Sequence, residues 1–426
     1  MPSDGWWRAP AEFGAQAHVR HTRPVLAHSE PTKQGGLPVW FGWGVAAVLA
    51  MAATAFFVRQ AWTWDAAALD SSIYRAAVRD WLAGGDVYAD KFGSDGGGLP
   101  FTYPPFALLF LLPLAGLPAT AANVVMFAVS AICLCLVVRW CQQYARTSDA
   151  PQPLWTTVGL AAVIACLVEP VRTTLGLGQV NLMLLALILG VDTLRHRWRG
   201  VGAGIATAVK VTSATIVVGY GLRGDGAGFR RGLVTAAVCT ASAAVINPRG
   251  TWQYFTTLVW DAGRTGNVEY IGNQSLKAAV LRSGIGNPQV VWALMVLIVA
   301  VVAVLAIRRH RGDVWMVTCI AAIAGLLVSP ISWTHHWVWV LPVAAVGLRV
   351  GRTQPLLAAA SALVVLPTLL QSLLWTMGPP PWWSVNMYCL AAATWLVAAL
   401  VSVGTEPGSD PAFDAVANRR AGSQAM

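Results

Sequence analysis

The groups best placed to do chemistry are a carboxylate heading an amphipathic segment, two adjacent histidines and a lysine inside an apolar stretch. Asp70 opens the run Asp70-Ser71-Ser72-Ile73-Tyr74-Arg75-Ala76-Ala77-Val78-Arg79-Asp80-Trp81-Leu82, whose apolar residues 74, 77, 78, 81 and 82 share one helical face. An Asp there has two uses: it caps the helix, or it takes a proton from a hydroxyl at a membrane–water boundary. His335 and His336 lie in Ser329-Pro330-Ile331-Ser332-Trp333-Thr334-His335-His336-Trp337. Adjacent imidazoles diverge, and no carboxylate or thiol stands at ligand spacing, so a metal is disfavoured. One ring would orient a carboxylate or hydrogen-bond a phosphate while the other packs; alternatively both are interfacial. Lys210 interrupts the apolar run 200–221, and a lysine at membrane depth is costly enough to call for an anionic partner, most simply a phosphate.

The elements that must position these groups are membrane helices. Hydrophobic residues make up 56% of the 426 and charged residues 11%, against about 25% charged in soluble proteins. Mean hydropathy is +0.58. These values exclude a soluble enzyme, a disordered chain and a secreted disulfide scaffold, and the seven Cys, with no CxxC pair, read as reduced packing residues. About 20 apolar residues cross the hydrocarbon, which places spans near 37–58, 119–138, 155–170, 179–195, 231–247, 288–307, 314–331, 335–350, 354–375 and 383–403. The stretches 101–117 and 200–221 read as re-entrant or short tilted pairs, which survive at membrane depth only against protein or a watery cavity.

The net charge of +10 reads as topology rather than nucleic-acid binding. Arginines at 139 and 146, 195 to 199, 223 to 231, 308 to 311 and 349 to 352 mark cytoplasmic ends. The long loop 59–100, the short link 169–178, the loop 248–286 and the stretch 332–336 then fall outside, with Gly378-Pro379-Pro380-Pro381-Trp382-Trp383. Gln179 and Asn181 open a span after Gly176 and Gly178, and Asn273-Gln274-Ser275, which also fits a glycosylation sequon, ends the third outer stretch. Outer basic residues, Arg264 among them, either hold an anionic lipid head or form ordinary ion pairs. The expected layout is a cytoplasmic polar segment 1–36, a membrane domain 37–403 with an outer loop 59–100, and a disordered cytoplasmic tail 404–426.

Several motifs occur together. Asp70, Tyr74, Gly84-Gly85, Tyr88, Phe101-Thr102-Tyr103-Pro104-Pro105-Phe106, Gly178-Gln179-Val180-Asn181, Lys210, Gly272-Asn273-Gln274-Ser275 and Ser329 to His336, in that order, resemble glycosyltransferase family 87 of actinobacteria. The resemblance runs from about residue 37 to 400. It implies an all-α GT-C fold of about ten to twelve membrane helices with short re-entrant or interfacial helices. It also implies transfer of mannose, with inversion, from polyprenyl-phosphate-mannose to a mannose hydroxyl of a membrane glycolipid, giving an α-(1→2) linkage outside the plasma membrane. The phosphatidylinositol mannoside branch is the most similar.

On that resemblance Asp70 is the base and His335 with His336 the second essential site. Lys210, Arg264, Gln179 and Asn181 face the donor phosphate, and Tyr103, Asn273, Gln274, Ser275 and Trp333 face the acceptor. The implied partners are the lipid donor, the glycolipid acceptor and the bilayer, with no nucleic acid. No cofactor or metal is expected, a divalent-cation requirement being left open. An arabinofuranosyltransferase using a decaprenyl-phosphate pentose is the alternative enzyme. A glycolipid flippase fits less well, since the polar residues gather on one side rather than at the midplane.

Overall fold

The computed structural model describes residues 39–93, 98–146, 152–193, 196–376 and 381–405. The polar N-terminal segment, nearly all of the tail from 406, Asp95, Arg195 and the Gly378-Pro379-Pro380 turn lie outside the described residues.

The chain is helical almost throughout. In order, the helices are α1 Val39–Thr63, α2 Leu69–Leu82, α3 Phe106–Phe110, α4 Ala119–Ala145, α5 Leu154–Leu167, α6 Glu169–Leu177, α7 Asn181–Leu187, α8 Val201–Val209 and α9 Ala214–Leu222. They continue as α10 Gly226–Ile246, α11 Pro248–Thr256, α12 Leu276–Arg282, α13 Pro288–Arg309, α14 Val314–Val328, α15 Val340–Val350, α16 Pro355–Thr376, α17 Trp382–Val385 and α18 Met387–Val401. Among the described residues the only sheet pairs β1 Lys91–Phe92 antiparallel with β2 Leu99–Pro100.

Helices α1, α4, α10 and α13 are each long and apolar enough to cross a membrane. Stretches 181–193, 211–222, 314–328, 355–371 and 387–401 are shorter apolar helices. The chain is therefore a multi-pass membrane protein. Its apolar helices carry exposed apolar faces, as in α13, where Val290, Leu294, Leu297, Ile298 and Val301 are exposed along one side. Hydrocarbon, not water, is the solvent that tolerates them.

Two elements differ from the sequence expectation. Residues 169–178 are not a link but helix α6, bent 85° from α5. Val168 leaves helical geometry between them and Pro170 suits the first turn of the new helix. In α2, Asp70 is not the cap: the helix starts at Leu69 behind Ala68, which is left-handed (φ 56°), and no side chain caps it. Leu82, expected on the buried face, is 58% exposed, because the helix ends there.

Two ends can be told apart. At one, the arginines stitch neighbouring helix ends together: Arg349 donates to the Tyr144 carbonyl (2.7 Å), Arg231 to that of Arg199 (2.8 Å) and Arg223 to that of Arg311 (2.7 Å). Arg309 donates to the Ser402 carbonyl. Arg199 and Asp225 form the one ion pair seen among the described residues, at 3.1 Å. Buried Asp192 accepts from the amides of Gly202 and Ala203, satisfying the start of α8. The opposite end holds α2, α6, α11, α12 and the turn Thr334–Trp339, and it is there that the predicted site residues gather.

Candidate active site

The site is built from five segments far apart in sequence. The first is α2, which presents Asp70 and, one turn later on the same face, Tyr74. Its start is tied to the end of α6 by the Ala68 amide, which donates to the Gly176 carbonyl (2.7 Å). Helix α6 closes in a Schellman motif: the Gln179 amide donates to the Thr174 carbonyl and that of Gly178 to Leu175, with Gly178 left-handed (φ 70°). A Cβ on Gly178 would come within 2.7 Å of Ser71 Cβ, so glycine is needed for both backbone angle and clearance. This turn delivers Gln179 beside Asp70 and Asn181 beside Lys210.

Tyr74 Oη, Tyr103 Oη and Gln179 Oε1 form a triangle with every side 2.8 Å. The phenols supply its protons, so Gln179 Oε1 is an acceptor and its Nε2 is left free to donate toward the Asp70 carboxylate, whose pKa Gln179 lowers. Asp70 is partly exposed. Burial pushes its pKa up to about 6, against the opposing pull of the Gln179 hydrogen bond and the Lys210 charge. The carboxylate is thus mostly ionised at neutral pH yet basic enough to accept a proton.

Lys210 occupies the break between α8 and α9, in extended geometry (φ −148°, ψ 106°). Its ammonium donates to Asn181 Oδ1 (2.8 Å) and lies 5.5 Å from the centre of the Tyr103 ring. Asn181 is thereby oriented, and its Nδ2 donates to the His335 carbonyl (2.9 Å). The Thr174 hydroxyl donates to the same carbonyl (3.0 Å). The two imidazoles meet edge to face, centroids 4.7 Å apart. Burial and the Lys210 charge hold both pKa values well below the ordinary range, so both rings are neutral. His335 Nε2 and His336 Nδ1 are buried with no hydrogen-bond partner among the described residues. Neutral rings act here as hydrogen-bonding groups, not as cations.

Asp70, Tyr103, Gln179, Asn181, Lys210, His335 and His336 therefore come together. The other candidates do not join this network directly. Arg264 stands behind it, stacked over the Tyr88 ring at 5.3 Å and donating to the Tyr88 carbonyl (2.9 Å), while the Tyr88 hydroxyl donates to the Tyr103 carbonyl (3.0 Å). Asn273, Gln274 and Ser275 are fully buried and bond mainly to backbone. Asn273 Nδ2 donates to the carbonyls of Val268 and Pro330, Gln274 Nε2 to those of Ile271 and Val385, and Ser275 caps α12. They brace the histidine segment, through the Asn273–Trp333 bridge and the Gln274 amide donating to the Ser332 carbonyl (2.7 Å). The sequon asparagine is not accessible. Trp333 remains partly exposed beside Tyr270, with ring centroids 6.1 Å apart. Among the described residues no three His, Cys, Asp or Glu side chains are grouped as metal ligands.

Sequence reasoning placed Tyr74 on the apolar face and among the motif residues but gave it no part in the site, although its place four residues after Asp70 was a usable signal. It also passed over Thr174 and Glu169. No local pattern marks a threonine that bonds a carbonyl 161 residues away.

The Glycosyltransferase family 87 model matches residues 101–330, more than half of the chain. The chain belongs to glycosyltransferase family 87. The match includes Tyr103, Gln179, Asn181, Lys210, Arg264 and Asn273 to Ser275; Asp70 and the histidines lie outside it. A Mycobacterium tuberculosis relative, a polyprenol-phosphate-mannose-dependent alpha-(1-2)-phosphatidylinositol mannoside mannosyltransferase, is 31% identical over 66% of this chain and 70% of its own length. A Mycolicibacterium smegmatis relative, the corresponding pentamannoside mannosyltransferase, is 30% identical over 75% of this chain and 78% of its own. Among solved structures, ArnT from Cupriavidus metallidurans bound to undecaprenyl phosphate aligns over 91% of this chain and 79% of its own, at 17% identity and a TM-score of 0.33. This family 87 chain is a membrane glycosyltransferase.

Proposed function

We propose that this family 87 enzyme transfers mannose from a polyprenyl-phosphate-mannose to a mannose hydroxyl of a phosphatidylinositol mannoside or related glycolipid, forming an α-(1→2) linkage with inversion. The observation that carries the reading is the half-buried Asp70, held by Gln179 and facing the charge of Lys210. Asp70 takes the proton of the acceptor hydroxyl as its oxygen bonds the anomeric carbon. The bond from that carbon to the phosphate oxygen breaks, and its electron pair leaves with the lipid phosphate. The phosphate departs without needing a proton, so one carboxylate suffices, unlike glycoside hydrolysis with its two. Lys210 stabilises the charge that accumulates on the phosphate, and the neutral imidazoles hydrogen-bond phosphate or sugar hydroxyls. The GT-C fold belongs to this reading. So does an extracytoplasmic site with both termini cytoplasmic, supported by the arginine-stitched ends opposite Asp70.

The test is transfer by purified protein with polyprenyl-phosphate-mannose and a panel of phosphatidylinositol mannosides, products being resolved by mass and linkage. Asp70→Asn is expected to stay folded and to lose at least about 100-fold in rate, the usual scale of a general base. Full activity in that variant would remove Asp70 from the role. Folded wild-type protein that makes no mannosyl product with any acceptor points to a different donor sugar.

A further inference from the structure

Glu169 is a buried carboxylate for which the transfer reaction has no direct use. It is 4% exposed and begins α6. Its Oε1 accepts from the hydroxyls of Thr173 (2.8 Å) and Thr334 (2.8 Å), and its Oε2 accepts from Tyr388 (2.9 Å). Two threonine hydroxyls donate to Oε1, and the single Tyr388 proton is shared between Oε2 and Gln371 Oε1 (2.7 Å), so the side chain serves chiefly as an acceptor. The contacts join three elements: α6 itself, the turn that carries the histidines, and α18.

That turn needs outside support. Thr334–Trp339 is a single tight 3-10 stretch with a non-helical residue, Trp337 (φ −81°, ψ 21°), inside it, so its own backbone bonds define it poorly. Glu169 holds it on both sides of the histidines. Before them it binds the Thr334 hydroxyl. After them it fixes Tyr388, whose ring packs against Trp337 with centroids 5.5 Å apart. In the same helix, Thr174 donates to the His335 carbonyl (3.0 Å). Side chain and main chain of the turn are therefore both gripped from α6, while His335 Nε2 and His336 Nδ1 stay unpartnered.

We propose that Glu169 is a positioning residue: through Thr334 and Tyr388 it sets the orientation in which the two imidazoles meet the substrates. The proposal rests on the reading that the histidines serve transfer. Its geometric tolerance is tight, since a misplacement of about 1 Å in an active-site group costs on the order of 100-fold.

The deciding experiment is a mutant cycle in the mannosyl-transfer assay. Thr334→Val removes one hydroxyl of the same size and leaves the Thr174 and Asn181 bonds in place; Thr334→Ser keeps the hydroxyl. Thr334→Val is expected to lower kcat about tenfold, with donor KM and Tm close to wild type, Glu169→Gln to lower kcat at least as much, and Thr334→Ser to restore kcat. In a His335→Ala or His336→Ala background that retains measurable transfer, Thr334→Val is expected to cost little more, because it acts through the histidine already removed. Unchanged kcat in Thr334→Val, or a loss that multiplies in full with the histidine variant, overturns the proposal. Wild-type rates in both histidine variants instead overturn the reading beneath it. If Glu169→Gln fails to accumulate, the Thr334 pair decides alone.

Discussion

At the scale of single residues, the site is a problem in proton and charge placement. Asp70 has its pKa raised to about 6 because burial penalises its charge more than Gln179 and Lys210 relieve it. A base works only when ionised, so transfer should level off as pH rises from about 6 toward neutral. Below about pH 6 it should fall toward tenfold per unit, as protonated Asp70 accumulates. Both relieving groups favour the ionised form, and removing either moves that limb upward. Gln179→Leu should shift it to higher pH, and Lys210→Met should shift it likewise while weakening apparent affinity for the lipid donor. A pH–rate profile of each variant at saturating and subsaturating donor checks the pair of expectations. An unmoved limb in both would mean that another group titrates. Asp70 itself was visible from its place at the head of an amphipathic run. The triangle that turns the Gln179 amide toward it was not, since its members lie 29 to 105 residues apart.

At the scale of elements, the α6–α7 turn is the part on which the site depends. Sequence hydropathy reads 155–170 as a span and 169–178 as a link, because apolar runs report burial and length but not an 85° bend. The bend brings the end of α6 against the start of α2. Gly178 sits at the contact, left-handed and in van der Waals range of Ser71. Gly178→Ala must strain the backbone by about 1–2 kcal/mol, and it must also push α2 away. We expect a Tm lowered by several degrees and transfer reduced more than tenfold, measured on detergent-purified protein. A variant with wild-type Tm and rate would show that the turn relaxes without cost. The break at Lys210-Val211-Thr212, by contrast, was legible: a lysine in an apolar run forecasts broken helix, and α8 ends at Val209.

At the scale of the whole molecule, one end is laced by arginines bonding to helix-end carbonyls and the other carries the acid–base groups. Orientation follows if the arginine end is cytoplasmic. In a background with the seven native cysteines replaced, Ala89→Cys should react with a membrane-impermeant maleimide on intact cells. Arg230→Cys should react only after permeabilisation. The reverse pattern would turn the enzyme over and place its lipid donor in the other leaflet. Asn273, Gln274 and Ser275 belong to this scale as well: expected to touch substrate, they are fully buried and bond mainly to the backbone around the histidine turn.

What the sequence by itself determined is what local chemistry can encode. The apolar runs, the arginine clusters, the break at Lys210 and the motifs of family 87 are all written in short windows, because hydropathy and motif spacing are properties of neighbours. What only the tertiary structure decided is which polar groups touch. Glu169 reaches Thr334 across 165 residues, and Lys210 reaches Asn181 across 29. A buried donor must find an acceptor wherever packing brings one, and packing is settled by the whole set of helices at once.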